Sequence, residues 1–137
     1  MDAAPAPEGL TTLASRHDFE TTLGRLTETL KARGASVFAV IDHAAGAKGA
    51  GLALPPTTLV VFGDPRAGTA LMQARGSVGI DLPLKILVWN DPAGATWVSY
   101  NQPAWIARRH GLEPGALPNV ARMAEVVAMF ASAAAEP

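Results

Sequence analysis

The chain has 137 residues, 49% of them hydrophobic and 17% charged, which is enough apolar material for one compact domain and too little length for two ordinary ones. Eleven basic residues against twelve acidic give a formal charge of -1 with no run of like charge, so the electrostatic footprint of a nucleic-acid or anionic-membrane partner is missing. The absence of cysteine excludes a disulfide framework, a thiolate nucleophile and a cysteine metal site.

The opening Met1-Asp2-Ala3-Ala4-Pro5-Ala6-Pro7-Glu8 has neither a basic leader nor an apolar run, and no later stretch is apolar for long enough to span a bilayer. A cytoplasmic protein with a short disordered tail over residues 1–8 and one domain over residues 9–134 is expected. Leu10 to Leu13 suits a first strand, because its threonines fit a half-exposed sheet face. Asp18 is placed to cap a helix in which Phe19, Leu23, Leu26 and Leu30 share one side, and Gly34 supplies its stop. Ser36 to Ile41 has strand composition, and Asp42-His43 leads into a short, glycine-softened helix over residues 44–48.

After Leu54-Pro55-Pro56, the apolar run Thr57 to Phe62 is too short for a globular helix and predicts a buried strand. Asp64-Pro65 pairs an acidic cap with proline at the first helical position, starting a helix that ends near Gly76. Gly79 to Asn90 then combines a turn, a charged residue and an apolar strand around which the rest packs. Asn90 to Gly94 is too short for a crossover helix, so the next strand, Ala95 to Tyr100, pairs back antiparallel. Pro103 restarts a helix closed by Gly111, and Pro118-Asn119 opens a last one with the stripe Val120, Met123, Val127 and Phe130. The pattern predicts an α+β fold, a mainly antiparallel sheet with helices packed on one side. Leu26, Leu30, Val60, Phe62, Ile86, Val88 and Phe130 are expected in its core.

Four phrases, Ile41-Asp42-His43-Ala44-Ala45, Phe62-Gly63-Asp64-Pro65, Gly68-Thr69-Ala70-Leu71-Met72 and Gly79-Ile80-Asp81-Leu82-Pro83-Leu84-Lys85, together resemble the bacterial and archaeal domain-of-unknown-function family 302. The resemblance extends from about Thr12 to Ala131. It implies a compact α+β domain similar in fold class to the TATA-box-binding protein, though not in function, and commonly a homodimer. It implies no reaction. Asp42, His43, Phe62, Gly63, Pro65, Gly68, Asp81, Pro83, Leu84, Lys85, Tyr100 and His110 fall where the family pattern carries recurring residues. Asp64 stands where asparagine is more usual, which weakens any ligand role for it.

Asp42-His43 places a carboxylate beside an imidazole at a strand end, where it would orient a general base; capping of the next helix explains the same aspartate. Neither His43 nor His110 has a second histidine at helical spacing, so no metal and no cofactor are expected. Lys85 lies in an apolar strand and must meet solvent, a carboxylate or an anion. Asp81 is on its side if the backbone stays extended through Pro83, giving either a surface ion pair or an anchor for an anion. Tyr100 offers a hydroxyl to a pocket or covers the core edge. Arg108-Arg109-His110 suits an anion or complements a helix dipole. Gly63 to Thr69 superficially resembles a phosphate loop but lacks the lysine-hydroxyl ending, and no serine has a nucleophile elbow.

The expected function is therefore a homodimeric binding or sensory module, with Asp42, His43, Asp81, Lys85, Tyr100 and His110 as candidates for a small, anionic ligand. The alternatives are a small enzyme using His43 or His110 as acid or base, and an interaction domain without ligand.

Overall fold

In the computed structural model, which describes residues 7–137, the chain forms five strands and five α-helices. Most of the expected tail, residues 1–6, lies outside the described residues. The order is β1 (Leu10–Ala14), α1 (Phe19–Ala32), β2 (Ser36–Asp42), α2 (His43–Gly49), β3 (Thr57–Gly63), α3 (Pro65–Ala74), a 3-10 turn (Gly76–Ile80), β4 (Leu84–Asn90), β5 (Thr96–Asn101), α4 (Pro103–Arg109) and, after a second 3-10 turn, α5 (Pro118–Ala135). The strands make one antiparallel sheet in the order β1-β5-β4-β3-β2. Fold class and predicted core agree with the sequence reading: all seven core residues are buried.

Local chemistry explains the boundaries. Asp18, Asp42 and Asp64 each turn a carboxylate oxygen onto a free N–H of the helix that follows, at 2.8 Å (Thr21), 2.9 Å (Ala45) and 3.0 Å (Arg66). The β4–β5 hairpin is tied by Asp91, whose carboxylate accepts from the Ala93 and Ala95 N–H groups and from the Trp97 indole N–H at 2.9 Å. The extended backbone from Asp81 through Pro83 that would align Asp81 with Lys85 does not form. The chain winds into the 3-10 turn up to Ile80, and β4 starts only at Leu84.

Strand alternation gives the sheet two unlike faces. Val60 and Phe62 on β3, Ile86 and Val88 on β4, and Val98 on β5 point to one face, where Leu26 and Leu30 of α1 and Val127 and Phe130 of α5 complete the core. Phe62 and Phe130 meet edge-to-face with ring centroids 5.4 Å apart. Each such side chain, fully buried, contributes about 1.5–3 kcal/mol. The opposite face carries Leu59, Val61, Leu87 and the stacked pair Trp89 and Trp97, none fully buried.

At the sheet edge, β2 is exposed along nearly its whole length despite its apolar composition: Val37, Phe38, Val40 and Ile41 are 44%, 52%, 55% and 42% exposed. A register shift between Val37 and Ala39 is the only interruption in its pairing with β3.

At the other edge, Gly9 enters β1 with a φ of 79°, and a Cβ there would collide with the Trp105 indole. Gly9→Ala is therefore expected to cost about 1–3 kcal/mol, from left-handed backbone strain plus overpacking. A urea midpoint equal to the parent's would show that the indole moves aside freely.

Candidate functional site

The six sequence candidates do not converge on one place. Asp42 is the α2 cap, and His43 is an exposed first-turn residue of that helix without a side-chain hydrogen bond. Lys85 pairs in register with Val61, whose β2 partner is Ala39, whereas Asp42 pairs with Thr58, the partner of Val88. Three residues at about 3.4 Å along the sheet and two strand spacings of about 4.8 Å across it separate the two positions. Tyr100 pairs with Ile86 on the helix-covered face and packs against the core. A shared pocket for His43, Lys85 and Tyr100 is thus not formed.

Asp81 and His110 do come together, joined by two residues that the sequence reading did not place there. The Asp81 carboxylate receives Arg109 Nη1 at 2.8 Å to both oxygens, and His110 Nε2 lies 2.5 Å from Oδ2. On the other side of the ring, His110 Nδ1 lies 2.8 Å from Ser77 Oγ. The His110 and Asp81 side chains are only 8% and 14% exposed. Burial pushes the Asp81 carboxyl up, but hydrogen bonds from His110 and Arg109, aided by the Arg109 charge, outweigh it and hold the group below the usual 3.8. Arg109 and His110, expected to complement a helix dipole, instead clamp the segment after the 3-10 turn to the end of α4.

Lys85 is not salt-bridged to the Asp81 carboxylate. Because the backbone turns instead of extending, its ammonium donates to the Asp81 and Pro83 carbonyl oxygens at 3.1 and 3.0 Å. Burial, only partly offset by the Asp81 charge, lowers its pKa below 10.5. Lys85→Met is expected to lose about 1–2 kcal/mol, since two half-buried carbonyls lose a charged donor. Unchanged chemical stability would show that water replaces the ammonium without cost.

A separate cleft of about 820 Å³ opens between α3, α5 and the adjoining ends of β3 and β4. Its floor is the core itself: Phe62, Leu84, Met123 and Phe130. Phe38, Met72, Leu82 and Met129 contribute further apolar lining, and the end of β3 with the first turn of α3, Gly63 to Thr69, forms one lip. The charged lining is Arg33, Arg66 and Arg122, with Asp64 as the one acid. The Asp64 carboxylate accepts from the Arg66 backbone N–H and also lies 3.9 Å from the Arg66 Nε. Only the Gly63–Thr69 segment, at the junction of β3 and α3, had a signal in the sequence; the rest is gathered from distant segments. Among the described residues no group of three or more His, Asp or Glu side chains is arranged to hold a metal ion, and no helix is long and apolar enough to cross a membrane.

A five-stranded antiparallel sheet with helices over one face, one helix-to-turn clamp and one arginine-lined cleft describes an α+β domain with a ligand-sized hollow. The chain belongs to the family described as domain of unknown function DUF302, whose model matches residues 11–130. A crystal structure of an uncharacterized conserved DUF302 protein from Bacillus stearothermophilus has the same fold, with a TM-score of 0.80 at 19% identity over 93% of this chain and 99% of that one. The chain is also 49% identical over 104 residues to the fluoride-specific ion channel FluC 1 of Brucella suis, covering 76% of this chain and 41% of that protein. FluC 1 of Brucella abortus and FluC 2 of Brucella melitensis match at the same 49% identity, with 38% of their lengths covered. The chain spans about two fifths of the length of these relatives.

Proposed function

We propose that the protein is a small-molecule binding module whose ligand is an organic anion with an apolar body, taken in the arginine-lined cleft. What carries this reading is the combination of a roughly 820 Å³ hollow, within the size range of small-molecule sites, with an apolar floor and three lining arginines, of which Arg66 is paired with the one lining acid, Asp64. A carboxylate or phosphate group would sit toward Arg33, Arg66 or Arg122, and its apolar part would lie over Phe62, Met123 and Phe130. Titration calorimetry with decanoate tests it. Saturable binding is expected, weakened on the order of tenfold by Arg122→Ala, the worth of one charge-assisted hydrogen bond. No heat with decanoate, or equal affinity in the variant, would overturn the reading.

The module acts as a homodimer in this proposal. The support is β2, a free edge strand that shows apolar side chains and has no lysine or proline to block a partner strand. Light scattering at high micromolar concentration is expected to give twice the chain mass; the monomer mass would remove the dimer.

A second reading is favoured by the Brucella relatives, in which a segment similar to this chain is part of proteins named as fluoride-specific channels. A pore needs membrane-spanning segments, and none of the described helices here is one. The shared segment would then be an accessory domain that modulates an anion channel. Fluoride efflux from liposomes containing the Brucella suis protein with this segment deleted separates the cases: altered regulation with efflux retained supports an accessory role, and loss of all efflux would make the segment part of the conducting unit.

A further inference from the structure

We propose that Ser77 is a nucleophile activated by His110, giving the protein a hydrolytic activity toward small carboxylic esters at the turn after α3, independent of the cleft. Ser77 is exposed in the 3-10 turn, and its Oγ lies 2.8 Å from His110 Nδ1, while Nε2 of the same ring lies 2.5 Å from the Asp81 carboxylate. An ionised carboxylate only accepts, so Asp81 fixes the ring proton on Nε2 and leaves the Nδ1 lone pair facing the serine hydroxyl. Asp81 is itself held by Arg109 from α4. These are the three roles of a serine nucleophile, an imidazole base and an orienting carboxylate, with the two ring nitrogens exchanged relative to the familiar serine-protease arrangement; roles and distances, not atom labels, define such a set.

The chemistry closes on groups that are present. Ser77 Oγ attacks the ester carbonyl carbon as its proton passes to His110 Nδ1, and Asp81 stabilises the resulting imidazolium. The carbon–oxygen bond to the alcohol breaks, and the imidazolium gives its proton to the departing alkoxide. Water then attacks the acyl-serine with His110 as base, releasing the acid and restoring the hydroxyl. Ser77 is exposed and does not line the cleft, so the proposed substrate is a compact ester.

An alkyl fluorophosphonate tests the nucleophile without turnover, because it forms a stable phosphorus–oxygen bond to an activated serine and expels fluoride. Peptide mass spectrometry of the folded protein is expected to find the adduct on Ser77, and the heat-denatured protein is expected to remain unlabelled there. His110→Gln keeps an amide donor toward Asp81 but removes the base, and is expected to slow labelling on the order of 100-fold. Ser77→Ala is expected to abolish both the adduct and any burst of p-nitrophenol from p-nitrophenyl acetate. Absence of a Ser77 adduct in the folded parent overturns the proposal whatever the variants do, and so does equal labelling of a folded His110→Gln protein. Either result would leave Ser77–His110–Asp81 as a structural clamp.

Discussion

Val60→Asp is expected to abolish the cooperative thermal transition altogether. Val60 is fully buried on the central part of the sheet, paired with Val40 on one side and Ile86 on the other, and it points toward the helices. A carboxylate there has no cationic partner within the apolar core, and burying it unpaired costs several kcal/mol even when it protonates. A domain of this size has a total stability of about 5–15 kcal/mol, so the lost valine packing added to that cost removes most or all of it. The neighbouring Val61 faces the other way, and Val61→Thr is expected to stay within about 1 kcal/mol of the parent. Near-UV circular dichroism on the pair is decisive: a native spectrum with a parental melt for Val60→Asp would show that β3 is not held as described.

The second large effect is expected from Asp81. Asp81→Ala leaves the nearly buried His110 without its Nε2 partner and frees Arg109, and is expected to cost about 2–3 kcal/mol. The effect depends on pH with a definite sign. Because the folded-state pKa of Asp81 is lowered below 3.8, its contribution is fully present above the ordinary carboxylate range and is lost as pH falls through the folded value. The stability gap between parent and Asp81→Ala is therefore expected to be widest near neutrality and to narrow in acid, below about pH 4. Urea unfolding at several pH values measures it. A gap that stays constant into acid would mean that the Asp81 charge contributes nothing.

The secondary structure was legible wherever a physical requirement was local. Asp18, Asp42 and Asp64 announced three helix starts because a free N–H is satisfied by a side chain two or three residues away. The β4–β5 hairpin followed from a linker too short for any alternative. The site was less legible because its parts are not local. Ser77 and His110 are 33 positions apart, and they meet only after α4 folds back onto the 3-10 turn. Lys85 needs a partner in its apolar strand and finds backbone carbonyls rather than the Asp81 carboxylate, because the chain is not extended through Pro83 and the turn at Gly76–Ile80 sends that carboxylate to the end of α4. The cleft had no single motif. Arg33, Arg66 and Arg122 come from the ends or faces of three different helical segments, and no periodicity links them.

The exposed β2 edge also decides what kind of assembly this sheet can build. The sheet ends in two unlike edges, β2 on one side and β1 on the other. Antiparallel pairing of β2 with the β2 of a second chain is self-complementary about a two-fold axis, so it consumes both sticky edges and stops at two subunits with a continuous ten-stranded sheet. Pairing of β2 with β1 would instead be head-to-tail and would leave a fresh β2 exposed after every addition, the geometry of a growing filament. Gly9 and the collision of any side chain there with Trp105 fix how the chain enters β1, where Thr12 is exposed and its hydroxyl lies 2.8 Å from Ser99 Oγ. The proposed homodimer is therefore the two-fold β2–β2 closure, and the light-scattering measurement distinguishes it from a filament by its finite mass.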